Sequence, residues 1–318
     1  MSSTPPILPV VLGPTASGKT SLTMALALRL GKAEIVSCDS VAVYRGFNIG
    51  AAKPSTAERA SVPHHLIDVV HAGEVFTAGD YSRLARQAIQ QITSDGGTPI
   101  VVGGTGLYLR ALLEGLFAGP PRSEVLRERL RRRAELHGIP YIHRILARMD
   151  GAAAANIHPN DLPKAIRAIE VCMESRSRMS EMWQRGRDPL TGYRIVHIGL
   201  LPDRAQLYGR INERCERMFQ EGVIEETRAL WEQYPEFHNV PERERQSPFH
   251  STGYRQSLQF IRGELSREQA LSSTQQAHRN YAKRQLTWFH RERDVHWLSG
   301  FGNDPEMQRQ AIQIVDHA

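Results

Sequence analysis

The stretch "ILPVVLGPTASGKTSLTMALALRL", residues 7–30, decides the fold. It opens on a short apolar run over 7–12, the length of a buried strand. It closes with Leu22, Ala25, Leu26 and Leu30 at helical spacing, and Gly31 follows as a stop. The pattern predicts a strand over 7–12 and a helix over 18–31. Between them Gly13, Gly18, Lys19 and Thr20 satisfy G-x-x-x-x-G-K-[ST] in full, in the strand-to-helix setting this motif requires. Its glycines let backbone N–H groups face phosphate oxygens, and the helix N-terminus adds partial positive charge. Lys19 brings a full charge, and the Thr20 hydroxyl is placed to hold Mg²⁺. The expected phosphate-binding residues are Gly13, Pro14, Thr15, Ala16, Ser17, Gly18, Lys19 and Thr20.

The neighbouring sequence repeats the alternation. "AEIVSCD" (33–39) reads as a second strand ending at Asp39. Thr77 with Asp80 reads as a capping box that starts a helix running to about residue 94. "GGTPIVVGGTG" (96–106) gives a third strand and a glycine turn, and "YRIVHIGLL" (193–201) another strand. Strands alternating with helices predict an α/β fold with a P-loop NTPase-like, doubly wound parallel sheet, in which ligands sit beyond the carboxyl ends of strands. Gly13, Asp39 and Gly103 all fall at such ends. Near residue 119 the sequence turns arginine-rich and helical in period. The expected division is a first core segment at 7–120, a helical insertion at 121–190, and core completion at 191–318. The arginine run at 127–133 reads as a solvated face paired with Glu124, Glu128 and Glu135. The tail, 270–291, reads as a helix, with Arg279, Lys283 and Arg284 beside aromatics that could anchor it to the core.

A sequence of 318 residues suits one large domain or two moderate ones. The net charge of +6 suits a phosphate-rich partner without requiring one. Cys38, Cys172 and Cys215 are far apart, so neither a disulfide framework nor a zinc site is suggested. The pair His64-His65 lacks further ligands at fitting spacing and reads as structural. "MSSTPPILPVVLG" has no basic n-region and too short an apolar run for a signal peptide or membrane helix, so a cytoplasmic protein is expected, with no membrane partner. The third strand ends "VVGGTGLY", with no carboxylate of the kind an ATPase uses to hold Mg²⁺. The loop could therefore grip a diphosphate whose other end reacts, although a small-molecule kinase would use similar parts. Asp39 admits two readings: a proton acceptor in the crevice, or a cap on the next turn supported by Ser40.

Eight segments, in order along nearly the whole chain, resemble the tRNA dimethylallyltransferases (tRNA isopentenyltransferases) of bacterial type. They are "GPTASGKTSL", "VSCDSVAVYRGFNIGAAKP", "HHLID", "FTAGDY", "VVGGTGLYL", "HPND", "GYRQ" and "AKRQLTWF". The resemblance implies a P-loop core with a helical insertion. It implies transfer of a dimethylallyl group from dimethylallyl diphosphate, with Mg²⁺. The acceptor would be N6 of adenosine-37, just 3′ of the anticodon, in tRNAs reading codons that begin with U. By the same resemblance Asp39 takes the amine proton, Thr105 helps place the base, and Lys19 and Arg214 act on the diphosphate. Contacts with the tRNA anticodon stem-loop are implied for Asp39, Ser40, Val41 and Ala42. They are also implied for Pro163, Lys164, Ala165, Ile166 and Arg167. A third segment comprises His250, Ser251, Thr252, Gly253, Tyr254 and Arg255, and a fourth Lys283, Arg284 and Gln285. The sequence departs from the family pattern at Ala42, at Ala51, in "PFHSTGYRQ", and at Pro163 and Lys164.

Overall fold

The computed structural model describes residues 5–117, 119–184, 186–238 and 247–318. Over these residues the chain divides into two compact units, one formed by Met1–Leu113 with Leu190–Ala318, the other by Glu114–Pro189.

The first unit is built on six strands: β1 (Ile7–Leu12), β2 (Ala33–Cys38), β3 (His64–His65), β4 (Thr98–Gly103), β5 (Arg194–Leu200) and β6 (Val295–Leu298). Their order is β3-β2-β4-β1-β5-β6, and every pair is parallel. Parallel strands covered on both faces need apolar residues on both. In β1, Leu8, Val10 and Leu12 face one core, and Val11 faces the other. Helices α1 (Lys19–Leu30) and α14 (Pro305–Asp316) cover the Val11 side. The opposite side carries α3 (Ala78–Ser94), α4 (Gly106–Leu113), α11 (Val223–Gln233), α12 (Tyr254–Ile261) and α13 (Arg267–Phe289). A short α2 (Thr56–Ser61) precedes β3, and α10 (Arg204–Gln220) follows β5.

The expected capping box forms at α3. The Thr77 hydroxyl accepts from the Asp80 N–H, and the Asp80 carboxylate accepts from the Thr77 N–H. Strands β3 and β6 were not read from the sequence. Each is short, lies at a sheet edge and is largely half-buried, so neither produces a long apolar run. His64 and His65 form β3, with His65 Nε2 2.6 Å from Glu34 Oε2. Among the described residues, no helix is long and apolar enough to cross a membrane.

The second unit contains five helices: α5 (Glu124–His137), α6 (Ile139–Met149), α7 (Gly151–Asn156), α8 (Leu162–Ser175) and α9 (Met179–Gln184). Leu130, Ile142, Leu146, Ala165, Ile166 and Ile169 form its core. At its centre Glu170 is fully buried. Its carboxylate accepts from Arg127 at 2.7 Å, from Arg167 at 2.5 Å and from the Ser123 N–H at 2.8 Å. This corrects the reading of the arginine run: Arg127 turns inward to a buried charge, while Arg132 pairs with Glu128 on the surface. A buried carboxylate needs such partners, and a helix face read only as charged hides the one arginine that supplies them.

Burial works against ionisation of Glu170, but the two arginines and the backbone N–H outweigh it and hold the carboxyl at about 2. A carboxylate with its folded value depressed stabilises the fold above its ordinary range, and that contribution drains as pH falls toward 2. Glu170→Gln should therefore cost about 3 kcal/mol at neutral pH. Its deficit relative to wild type should shrink between about pH 4.5 and pH 2. Urea unfolding followed across that range, with hydrogen exchange in residues 124–175 as the local readout, checks both.

Candidate active site

Strand register brings the catalytic loops together. Cys38 pairs with Gly103, and Val11 with Val102, so Leu12 falls beside Gly103. The chain thus leaves β1 at Gly13, β2 at Asp39 and β4 at Gly104 along one row. The loop after β1 turns through Ala16 at φ 63° and Gly18 at φ 87°, both in the left-handed region. Gly18 is the N-cap of α1 and offers no side-chain cap, so the first amides of the helix face outward toward a ligand. Lys19 Nζ donates to the carbonyls of Gly13 (2.9 Å) and Pro14 (2.8 Å). Arg214, on α10, donates to Thr15 Oγ1 at 3.0 Å.

Not every amide of the loop is available for phosphate. The Thr15 N–H donates to Gln285 Oε1 at 2.8 Å, and the Ser17 N–H donates to the Pro14 carbonyl at 3.3 Å. Burial pushes the Lys19 ammonium down to about 7; the Arg214 charge acts in the same direction, and the Asp39 carboxylate opposes both. Burial also lowers Arg214, and Asp39 again opposes it. Two crowded cations and one carboxylate thus share one field, which is the electrostatics of an anion site.

Asp39 caps the turn after β2 and stands at the cavity. Its Oδ1 accepts from the N–H groups of Val41 (2.8 Å) and Ala42 (3.1 Å), and the residue also lines the cavity. Thr105 Oγ1 accepts from the Ser40 N–H at 3.1 Å, tying the turn after β4 to the turn after β2. Tyr281 OH reaches the Gly104 carbonyl at 3.4 Å. Burial raises the Tyr281 hydroxyl above its ordinary range, so it stays a donor. Burial likewise pushes the neighbouring Cys38 thiol up to about 12, leaving it an inert part of the core.

Thr15, Lys19, Asp39, Arg214 and Tyr281 border a cavity of about 640 Å³ within the first unit, whereas Thr105 does not line it. Arg210 and Arg217 line it beside Arg214. Sequence reading singled out Arg214 and passed over the other two. The signal was present: positions 210, 214 and 217 share one face of a helix. Arg210 lies over the Phe301 ring at 3.6 Å and donates to Asn303 Oδ1 at 2.6 Å. Thr20 lies on the cavity wall in the first turn of α1. Among the described residues, no group of three or more His, Cys, Asp or Glu could hold a metal ion. A single hydroxyl suits Mg²⁺ that arrives with phosphate oxygens and retains several waters.

The positions expected to touch RNA are scattered. Asp39 and Ala42 line the cavity, with Ala42 buried. Pro163 and Lys164 are exposed, Ala165 and Ile166 sit in the core of the second unit, and Arg167 is engaged by Glu170. His250, Ser251 and Thr252 are half-buried, Gly253 and Tyr254 buried, and Arg255 exposed. The Tyr254 hydroxyl donates to Glu226 at 2.6 Å, so its side chain belongs to the core. Lys283 and Arg284 are exposed, whereas Gln285 turns inward at 4% exposure. Arg279 is tied to Asn212 of α10 at 2.6 Å.

A parallel α/β sheet that joins a phosphate loop to a carboxylate and a hydroxyl across one cavity defines a P-loop protein equipped for group transfer. The sequence profile of the family described as IPP transferase matches residues 42–292. The chain is 59% identical to the tRNA dimethylallyltransferase of Koribacter versatilis over 98% of both chains. It is 49% identical to that of Solibacter usitatus over 97% of both. Its fold matches the crystal structure of the tRNA isopentenylpyrophosphate transferase of Bacillus halodurans with a TM-score of 0.69. That match has 35% identity and covers 98% of this chain and 95% of that one. The chain belongs to the IPP transferase family.

One glycine locks the phosphate loop from outside. The Gly302 N–H donates to the Ser17 carbonyl at 2.9 Å, and a Cβ at residue 302 would lie 2.2 Å from the Gly18 carbonyl oxygen. Gly302→Ala must therefore displace Gly18 or its own loop. It should weaken diphosphate binding roughly tenfold, about 1.4 kcal/mol, while the protein stays folded. Calorimetric titration with inorganic diphosphate, alongside a thermal melt, measures this.

Proposed function

We infer that the protein is a tRNA dimethylallyltransferase that uses dimethylallyl diphosphate as donor. The acceptor is N6 of adenosine-37, just 3′ of the anticodon, in tRNAs that read codons beginning with U. The products are N6-(dimethylallyl)adenosine and diphosphate. The observation that carries this reading is the pairing, in one cavity, of a cation-rich phosphate loop with the Asp39 carboxylate. The glycine turn ending β4 contributes no second carboxylate.

The adenine amine is a poor nucleophile, because its lone pair is delocalised into the ring. Asp39 accepts its proton as the N–C bond forms. Oδ1 is committed to the Val41 and Ala42 N–H groups, which fixes the carboxylate and leaves Oδ2 for the amine. As the C–O bond of the donor breaks, negative charge grows on the departing diphosphate. Lys19, Arg214 and the α1 N-terminus stabilise it where it develops. Thr20 is the protein's ligand for Mg²⁺, which when bound neutralises part of that charge. Thr105 and Ser40 hold the turns that face the base. The base must leave its stack to reach this cavity, which suits an unpaired loop nucleotide. The exposed Lys283 and Arg284 supply contacts to the RNA backbone.

The test is to incubate the protein with an unmodified anticodon stem-loop and dimethylallyl diphosphate, then weigh the RNA. A gain of one dimethylallyl group on the adenosine is expected, and an unshifted mass overturns the reading. Asp39→Ala should lower kcat by about 10²–10⁴ with tRNA affinity nearly intact. Lost affinity with unchanged chemistry would remove Asp39 from that role. Replacing Lys283 and Arg284 together should weaken tRNA binding and reduce the slope of log K against log salt by about 2. An unaltered slope would take α13 out of the interface.

A further inference from the structure

One side chain bridges the phosphate loop and the turn that faces Asp39. Gln285 lies on α13 at 4% exposure. Its Oε1 accepts from the Thr15 N–H at 2.8 Å, and its Nε2 donates to the Gly104 carbonyl at 3.0 Å. The orientation of the amide is forced, since a backbone N–H only donates and a carbonyl only accepts. The fit is close: a Cβ at Gly104 would lie 2.0 Å from Nε2. Tyr281, one helical turn earlier, reaches the same carbonyl. From Gly104 the network continues through Thr105 to the Ser40 N–H and so to the Asp39 turn. Thr15 is also held by Arg214. The loop that grips the leaving group and the turn that carries the proton acceptor are thus pinned to one rigid helix.

The geometry points to Gln285 as a positioning residue that sets the distance between the diphosphate and the acceptor carboxylate. This rests on the prenyl-transfer reading above. It also separates Gln285 from its neighbours: Lys283 and Arg284 face solvent, whereas the buried Gln285 amide is spent on Thr15 and Gly104. Transfer between two bound partners depends steeply on their separation, so a shift of about 1 Å in either loop costs on the order of 10²-fold in rate.

Two variants test it. Gln285→Met keeps length and volume but neither donates nor accepts. Gln285→Glu keeps an acceptor for Thr15, yet as a carboxylate it sets an oxygen against the Gly104 carbonyl. Only its protonated form restores the donor. Lys19, Asp39, Arg214 and Tyr281 line the same cavity in variant and wild type, so the ratio of their rates isolates the new titration.

In single-turnover alkylation of the stem-loop, Gln285→Met should lose about 10²-fold in kcat at every pH, with KM for RNA within about twofold. Gln285→Glu should show a similar deficit at about pH 8.5, and that deficit should narrow as the pH is lowered toward the range in which its carboxyl protonates. A rate ratio that stays flat with pH, or a loss confined to KM for RNA, would overturn the assignment. Should the glutamate variant fail to fold, the kcat-against-KM split of Gln285→Met decides alone. Failure of the wild type to alkylate RNA would instead remove the functional reading itself.

Discussion

The site depends on parallel strands ending level. The hydrogen bonds that pair Cys38 with Gly103 and Val11 with Val102 set three carboxyl ends in one row. Slipping any of the three strands by one residue would turn its alternating side chains to the wrong core, so the register is fixed by burial. Leu8, Val10 and Leu12 on one side and Val11 on the other make that penalty heavy for β1. The hydrophobic packing of the sheet therefore fixes where Gly13, Asp39 and Gly104 emerge, before any polar contact forms.

Charge gives the row its chemistry. Burial lowers the proton affinity of both Lys19 and Arg214, the Arg214 charge lowers that of Lys19 further, and Asp39 opposes the shift in each. Arg210 and Arg217 extend the positive wall along α10. Such a cluster repels itself, and an anion placed among these groups would offset that repulsion. Two carboxylates, Asp39 and Glu213, line the same cavity among these cations.

Much of this was legible from the residues. The apolar run at 7–12, the glycine-lysine motif and the Thr77–Asp80 box all act locally, and each forms where the sequence places it. The edge strands β3 and β6 escaped because runs of two and four residues are too short to carry a periodic signal. Arg127 and Gln285 escaped for a different reason. Their hydrophilic side chains resemble surface residues, and only the fold shows that each satisfies a buried partner. Glu170 is 43 residues from Arg127, and Thr15 is 270 from Gln285, so no local pattern links either pair.

That last distance bears on how the protein is made. The loop at 13–20 is translated well before the groups that brace it: Arg214 lies 199 residues beyond Thr15, Gln285 270 beyond it, and Gly302 later still. Contacts so remote in sequence form slowly and only after their partners exist. A nascent chain that stops short of Arg214 therefore carries the motif without the side chains that brace it.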